Sequence, residues 1–236
     1  MEKKMFKHQD GLIFGLSEKA DGDMKIHKSD KHSIADINRQ KLYSRLGLNG
    51  GKVVSVLCAH GKRITEADAR NMGCLVWDTD GLISDVPGII LAVSVADCAP
   101  VYLFDPRMRV IALVHAGWRG TVDKIAEGVV KKMIHDYGSR SADIQAFIGP
   151  HIQECHFEVK EDVAEKFHDD DIELREAKIY VSLASAIRRQ LLKVGLTGAN
   201  IKISEECTYC EEKYFSARRD NFPRVKAGLA YLGIEF

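Results

Sequence analysis

A single α+β domain covering residues 1–236, with mixed β-sheets layered against α-helices, is the fold class this sequence predicts. Two observations carry the prediction. Apolar β-rich runs and amphipathic helical stretches are interspersed without strict βα alternation, which disfavours a doubly wound sheet. Neither a linker, nor a repeat, nor a low-complexity tract divides the chain. With 45% hydrophobic and 29% charged residues, the composition is that of an ordinary folded protein with a sizeable core.

The elements follow in order. Ser33 and Asp36 form an S-x-x-D cap for a helix over 33–46, with Ile34, Ile37, Leu42 and Leu46 as its apolar face and Gly47 as its stop. A strand over 53–57 delivers the chain to Cys58-Ala59-His60-Gly61, where glycine permits a turn directly beyond the histidine. Residues 88–104 read as two buried strands joined by Ala-Asp-Cys-Ala-Pro, with Cys98 at the joint. Another strand over 109–114 leads into a glycine-bracketed turn, His115-Ala-Gly-Trp-Arg-Gly. Thr121 then starts an amphipathic helix ending near Tyr137, with Val122, Ile125, Ala126, Val129, Val130, Met133 and Ile134 at helical spacing. A short strand over 145–148 precedes Gly149-Pro150. Val159, Val163 and Phe167 suggest a helix, a further helix over 182–194 stops at Gly195, and 201–203 forms a strand.

Lys plus Arg equals Asp plus Glu at 34 each, so no global field gathers nucleic acid or an anionic membrane. The charged stretch 1–10 lacks the apolar core of a signal peptide, and no apolar run approaches the roughly 18 residues of a membrane span. A cytoplasmic protein is expected. Its six cysteines then read as reduced thiols.

Three of the residues placed at strand ends or the turns beyond them, His60, Cys98 and His115, offer borderline-to-soft ligand atoms. Catalytic zinc takes three protein ligands and leaves a fourth position open, so the inventory fits, although the separations are not those of a local metal motif. A histidine beside a glycine turn is more often an ordinary surface or core residue than a ligand. Asp97 either orients a ligand histidine or caps a turn.

Residues 94–121, SVADCAPVYLFDPRMRVIALVHAGWRGT, resemble the signature of the bacterial polyphenol oxidase or laccase-domain family, with its ADC and HAGWRG motifs. The similarity continues through CAHG at 58–61, IGPHI at 148–152, CHFEV at 155–159, ECT at 206–208 and FSARRD at 215–220. The resemblance implies a laccase-domain, cysteine-hydrolase-like fold and one zinc ion on His60, Cys98 and His115, with these residues at the centre of catalysis. It also implies phosphorolysis of adenosine, inosine or methylthioadenosine, with nucleoside and phosphate as partners, and deamination of adenosine. Some members are described instead as peptidoglycan editing factors, so a zinc or cysteine hydrolase acting on a cell-wall precursor is the alternative. A non-catalytic module built on structural zinc is a third reading.

Copper is the less favoured metal. A multicopper oxidase needs many converging imidazoles, commonly from His-x-His pairs, and the nine histidines here contain no such pair. The H-x-E and P-C-x-x-C elements of zinc deaminases are also missing. Phosphorolysis requires an anion held against the sugar, for which Arg39, Arg119 and Arg218 are the candidates, and Phe215 is a candidate stacking partner for the base. Cys207-x-x-Cys210 is a lone pair; structural packing is its expected role, with a second metal site shared with Cys155 or His156 as the alternative. Family members usually carry Gln-Val-His-Gly where this chain has Cys58-Ala59-His60-Gly61, which places a thiol at the border of the expected site. The family's N-terminal glycine-rich motif is degenerate around Gly11 to Ser17.

Overall fold

The structure, a computed structural model, describes residues 11–26, 33–220 and 225–234; the charged stretch 1–10 lies outside them. Numbered along the chain, β1 (Leu12–Leu16), β14 (Gly228–Ile234), β6 (Ile90–Val95), β2 (Val53–Leu57) and β4 (Leu75–Trp77) form a five-stranded sheet in that order. A six-stranded sheet runs β13 (Ile201–Ile203), β9 (Gln145–Ile148), β7 (Ala99–Asp105), β8 (Val110–Ala116), β5 (Gly81–Ser84) and β3 (Ile64–Glu66). A small third sheet orders β10 (Glu158–Val159), β12 (Lys178–Val181) and β11 (Ile172–Arg175). The helices are α1 (Ile34–Arg45), α2 (Trp118–Val122), α3 (Ile125–Tyr137), α4 (Glu161–Ala164), α5 (Leu183–Lys193) and α6 (Ala217–Asp220).

Side-chain alternation sorts these elements into four layers. The two large sheets face each other across Val54, Val56, Leu91 and Val93 on one side and Leu82, Tyr102, Phe104, Ile111 and Leu113 on the other. The opposite face of the six-stranded sheet, including Val101, Leu103, Ala112 and Val114, packs on Ile125, Val129 and Met133 of α3 and Ile187 and Leu191 of α5. The outer face of the five-stranded sheet is covered by Leu42 and Tyr43 of α1 with Met24. This is the mixed, layered α+β architecture expected.

Three connections position the candidate residues. β2, β4 and β6 are parallel neighbours, so all three end at the same edge of the five-stranded sheet. From that edge the chain crosses into the other sheet each time, from β2 to β3, from β4 to β5 and from β6 to β7. Each crossing contains one non-glycine residue in the left-handed region: His60 (φ 60°), Asp78 (φ 53°) and Asp97 (φ 78°). His and Asp tolerate that conformation better than most residues, and its modest cost buys an abrupt change of direction.

The local elements hold for good physical reasons, with three corrections. Ser33 caps α1, its hydroxyl accepting from Asp36 N while the Asp36 carboxylate accepts from Ser33 N. The buried face of α1 is only partly the expected one: Leu42 is buried and Leu46 packs against the same cluster, but the two isoleucines turn outward. Ile34 and Ile37 are 74% and 53% exposed, while Ala35, Arg39, Leu42 and Tyr43 point inward. Burying Arg39 is tolerable because Nε donates to Met24 O at 2.7 Å and Nη1 to Ser55 Oγ at 3.0 Å. The strand before the HAGW segment extends through Ala116, so His115 lies in β8, and the helix beyond it starts at Trp118 and breaks at Lys124 (φ 60°) before α3. Of the helix suggested by Val159, Val163 and Phe167, only Glu161–Ala164 is helical, because Val159 pairs with Ile179 in the small sheet.

Candidate metal centre

His115 continues the row of Ile111 and Leu113, the side of β8 that faces the gap between the large sheets, and it is 3% exposed. In the β7–β8 ladder it pairs with Pro100, which puts the residue preceding β7, Cys98, beside the chain just beyond β8. Gly117 is required there, since a Cβ at that position would lie 2.9 Å from Cys98 Sγ. Gly120 has a similar duty: its missing Cβ would meet Gly61 O at 2.8 Å, so the start of α2 can sit directly on the turn that carries His60.

The ligand atoms of His60, Cys98 and His115 thus all lie within 4.8 Å of one another. The two imidazoles stand edge to face, with ring centroids 5.0 Å apart at 87°. His115 is buried, Cys98 half-buried and His60 exposed, so the group opens to solvent on the His60 side. The donor set of two imidazoles and one thiol fits zinc, and three protein donors with one accessible side match an open, catalytic type of site.

Asp80, in the crossing from β4 to β5, organises this group and was not singled out in the sequence. Its carboxylate is buried and accepts from four donors: Ala59 N at 3.2 Å, His60 N at 2.9 Å, Gly61 N at 2.8 Å and His115 Nδ1 at 3.0 Å. Its main-chain oxygen also accepts from His115 N at 2.7 Å. Burial alone would raise the pKa of this carboxyl, but the donors from His115, Gly61 and His60 outweigh it and hold the group below the usual carboxylate range. With Nδ1 bound to Asp80, the other ring nitrogen of His115 is left for a metal. Burial likewise opposes charge on His115, yet Cys58, Cys98 and Asp80 keep its pKa well above that of a free imidazole. His60 moves the opposite way, through loss of solvent and the neighbouring His115.

Asp97 has a different task from the ligand-orienting one considered in the sequence. Oδ1 accepts from Thr208 Oγ1 at 2.7 Å, Oδ2 from Arg218 N at 2.7 Å, and its carbonyl from Ile152 N at 3.0 Å, so it ties the Cys98 crossing to three other segments. Cys58 does border the site, in a group with Asp80 and His115.

The remaining candidates are spread out. Arg119 is exposed, with its guanidinium 4.2 Å from the Trp118 ring, and it lies close enough to His60 to disfavour protonation there, as does Lys25, which sequence inspection passed over. Arg218 Nη1 donates to His156 O at 3.3 Å and Glu158 O at 3.0 Å. Arg39 is buried on its internal partners, and Phe215 is 7% exposed beneath Lys19 Nζ, 5.8 Å from the ring centroid. No described helix is long and apolar enough to cross a membrane.

Comparison with known proteins identifies the family. The model of the multi-copper polyphenol oxidoreductase laccase family matches residues 8–230. A protein named purine nucleoside phosphorylase from Deinococcus radiodurans is 34% identical over 81% of this chain and 74% of its own length. A protein named adenosine deaminase RL5, from an unknown prokaryotic organism, is 34% identical over 83% of this chain and 79% of its own length. The crystal structure of YlmD from Geobacillus stearothermophilus superposes with a TM-score of 0.89 at 30% identity, covering 96% of this chain and 93% of that one. By sequence and by fold, the chain belongs to the multi-copper polyphenol oxidoreductase laccase family.

Proposed function

We propose that this chain is a zinc-dependent purine nucleoside phosphorylase of the cytoplasm, acting on adenosine, inosine or methylthioadenosine. The observation that carries the reading is the convergence of His60, Cys98 and His115 in a group buried on one side and open on the other. The name of the relative from Deinococcus radiodurans supports nucleoside phosphorolysis as the chemistry, as does that of the Geobacillus stearothermophilus protein, purine nucleoside phosphorylase YlmD.

His60, Cys98 and His115 would hold the zinc ion, which would supply Lewis-acid chemistry to the site. The protein supplies the rest. Asp80 fixes the tautomer of His115 and, through the backbone of residues 59–61, the position of His60. Arg119 presents an exposed guanidinium near His60, suited to hold a phosphate dianion against the sugar. In the reaction an oxygen of hydrogen phosphate bonds to the anomeric carbon as the bond to the base nitrogen breaks, and the proton of the hydrogen phosphate ends on the departing base. Arg218, Arg39 and Phe215 act from further back, through the segments they brace. Adenosine deamination is a side activity in this reading, supported by the name of the relative RL5.

Incubation of the purified protein with inosine tests the proposal. Hypoxanthine and ribose 1-phosphate should form only when phosphate is present; release of hypoxanthine at the same rate without phosphate would contradict it.

One observation favours a second reading. Cys98, His115 and Asp80 line up as thiol, imidazole and orienting carboxylate, the order of a nucleophilic amide hydrolase. Release of serine from a cell-wall precursor, with nucleosides untouched, would establish that reading instead.

A further inference from the structure

A second constellation lies outside the site described above. The segment 151–157, after β9, and the segment 204–210, after β13, are joined by a parallel bridge between His151 and Cys207, with Thr208 N donating to His151 O at 3.0 Å. β9 and β13 are parallel neighbours, so both segments leave the same edge of the sheet. This brings Cys155 and His156 against Cys207 and Cys210, with one ligand atom from each within 4.8 Å of all the others.

The spacings among Cys155, His156 and Cys210 are close to those of a tetrahedral shell. Zinc–sulfur bonds of about 2.3 Å and zinc–nitrogen bonds of about 2.0 Å at the tetrahedral angle place ligand sulfurs about 3.8 Å apart and sulfur and nitrogen about 3.5 Å apart. Here Cys155 Sγ and Cys210 Sγ are 3.8 Å apart, and His156 Nδ1 lies 3.2 Å from Cys155 Sγ and 3.3 Å from Cys210 Sγ. The imidazole is held in that orientation by stacking on Tyr209, with centroids 4.0 Å apart at 16°. Gln153 N donates to Cys207 Sγ at 3.4 Å, a contact that orients this sulfur as outer partners orient metal-binding side chains. A disulfide between Cys155 and Cys210 would engage only two of the three thiols and would leave the oriented imidazole without a role.

We infer that Cys155, His156, Cys207 and Cys210 form a closed, structural zinc site, distinct from the open group at His60, Cys98 and His115. Four protein ligands fill the shell and leave no position for substrate, so the role is to fasten the two segments together. Both segments hold Asp97, Ile152 N through its carbonyl and Thr208 Oγ1 through its carboxylate, and Asp97 precedes Cys98. Binding expels the thiol protons to solvent as three sulfur–zinc bonds form, so no oxidant or reductant is involved. The lone Cys207-x-x-Cys210 pair gains its missing partners from a segment roughly fifty residues earlier in the sequence.

Cobalt(II) titration of the reduced, metal-free full chain tests this. Wild type should bind two equivalents, and Cys98→Ala should keep one with the strong thiolate-to-cobalt charge-transfer absorption of a tetrahedral three-thiolate site. In Cys210→Ser that absorption should weaken and shift, and zinc should no longer shield Cys155 and Cys207 from a thiol reagent. If reduced Cys98→Ala binds no cobalt, or binds it without charge-transfer absorption, the site does not exist. That outcome needs no change to the four proposed ligands, so it decides the matter even if Cys210→Ser fails to fold.

Discussion

Asp80 Oδ1 accepts a hydrogen bond from His115 Nδ1 at 3.0 Å while the same carboxylate gathers the backbone amides of Ala59, His60 and Gly61. One buried anion therefore sets the positions of two of the three proposed ligands. In Asp80→Asn a single acceptor oxygen must serve donors that now share two, and one amide of the new side chain faces the N–H groups. Zinc affinity should fall about 10–100-fold, as it does when a group supporting a metal-bound histidine is lost. Stability should drop by about 2–3 kcal/mol. Chelator competition and urea unfolding read the two effects separately; unchanged affinity would remove Asp80 from the organisation of the site.

The two glycines of the HAGWRG segment separate packing at the thiol from packing at the turn. Gly117→Ala places a methyl 2.9 Å from Cys98 Sγ, so the thiol must move; zinc affinity and turnover should fall while thermal stability changes little. Gly120→Ala meets a backbone oxygen, Gly61 O, at 2.8 Å, which cannot rotate away. That variant should lose about 1–3 kcal/mol of stability as well as activity. Thermal unfolding beside metal titration distinguishes the pair.

Arg119 is placed to hold phosphate, so Arg119→Ala should raise the KM for phosphate about tenfold or more, with a smaller change in the KM for nucleoside. Arg119→Lys should recover part of the loss, because charge is kept and the planar fork is not. An equal rise in both KM values would show that Arg119 only supports the turn.

Much of this fold is legible in the sequence where a local rule governs. The S-x-x-D pair at Ser33 and Asp36 caps α1 as written, Ser182 accepts from Ser185 N at the start of α5, and Gly47 and Gly195 end their helices with φ of 70° and 93°. The joint at Cys98 is equally readable, because apolar runs flank a polar dipeptide. Long-range pairing is not readable in this way. Asp80 sits in a polar turn that carries no signal of its own, and only the three parallel crossings bring it under His60 and His115. The inward face of α1 is hidden for a related reason: Arg39 is buried because Met24 O and Ser55 Oγ, from distant segments, satisfy it. Cys155 and His156 meet Cys207 and Cys210 only through a bridge between two loops.

Asp220 offers a pH-dependent test away from the site. Burial would raise its pKa, but bonds from Arg219, Ser216 N and Lys19 hold it below the usual carboxylate value. A carboxyl whose pKa is depressed by folding contributes stability above its unfolded value, near 3.9, and loses that contribution as pH falls through the lower folded value. Asp220→Asn should therefore cost about 1–2 kcal/mol at pH 7, and the gap to wild type should close below about pH 4. Urea midpoints at the two pH values check this; a gap that persists in acid would mean that the carboxylate charge is not what holds the FSARRD segment.

The most direct measurement is an anomalous difference map, collected at the zinc absorption edge, from crystals of the zinc-loaded chain. A peak bonded to His60, Cys98 and His115, with no protein atom in its fourth position, is the predicted result. A peak whose shell is closed by Cys58, or no peak among these residues, would contradict the open metal centre on which the proposed chemistry rests.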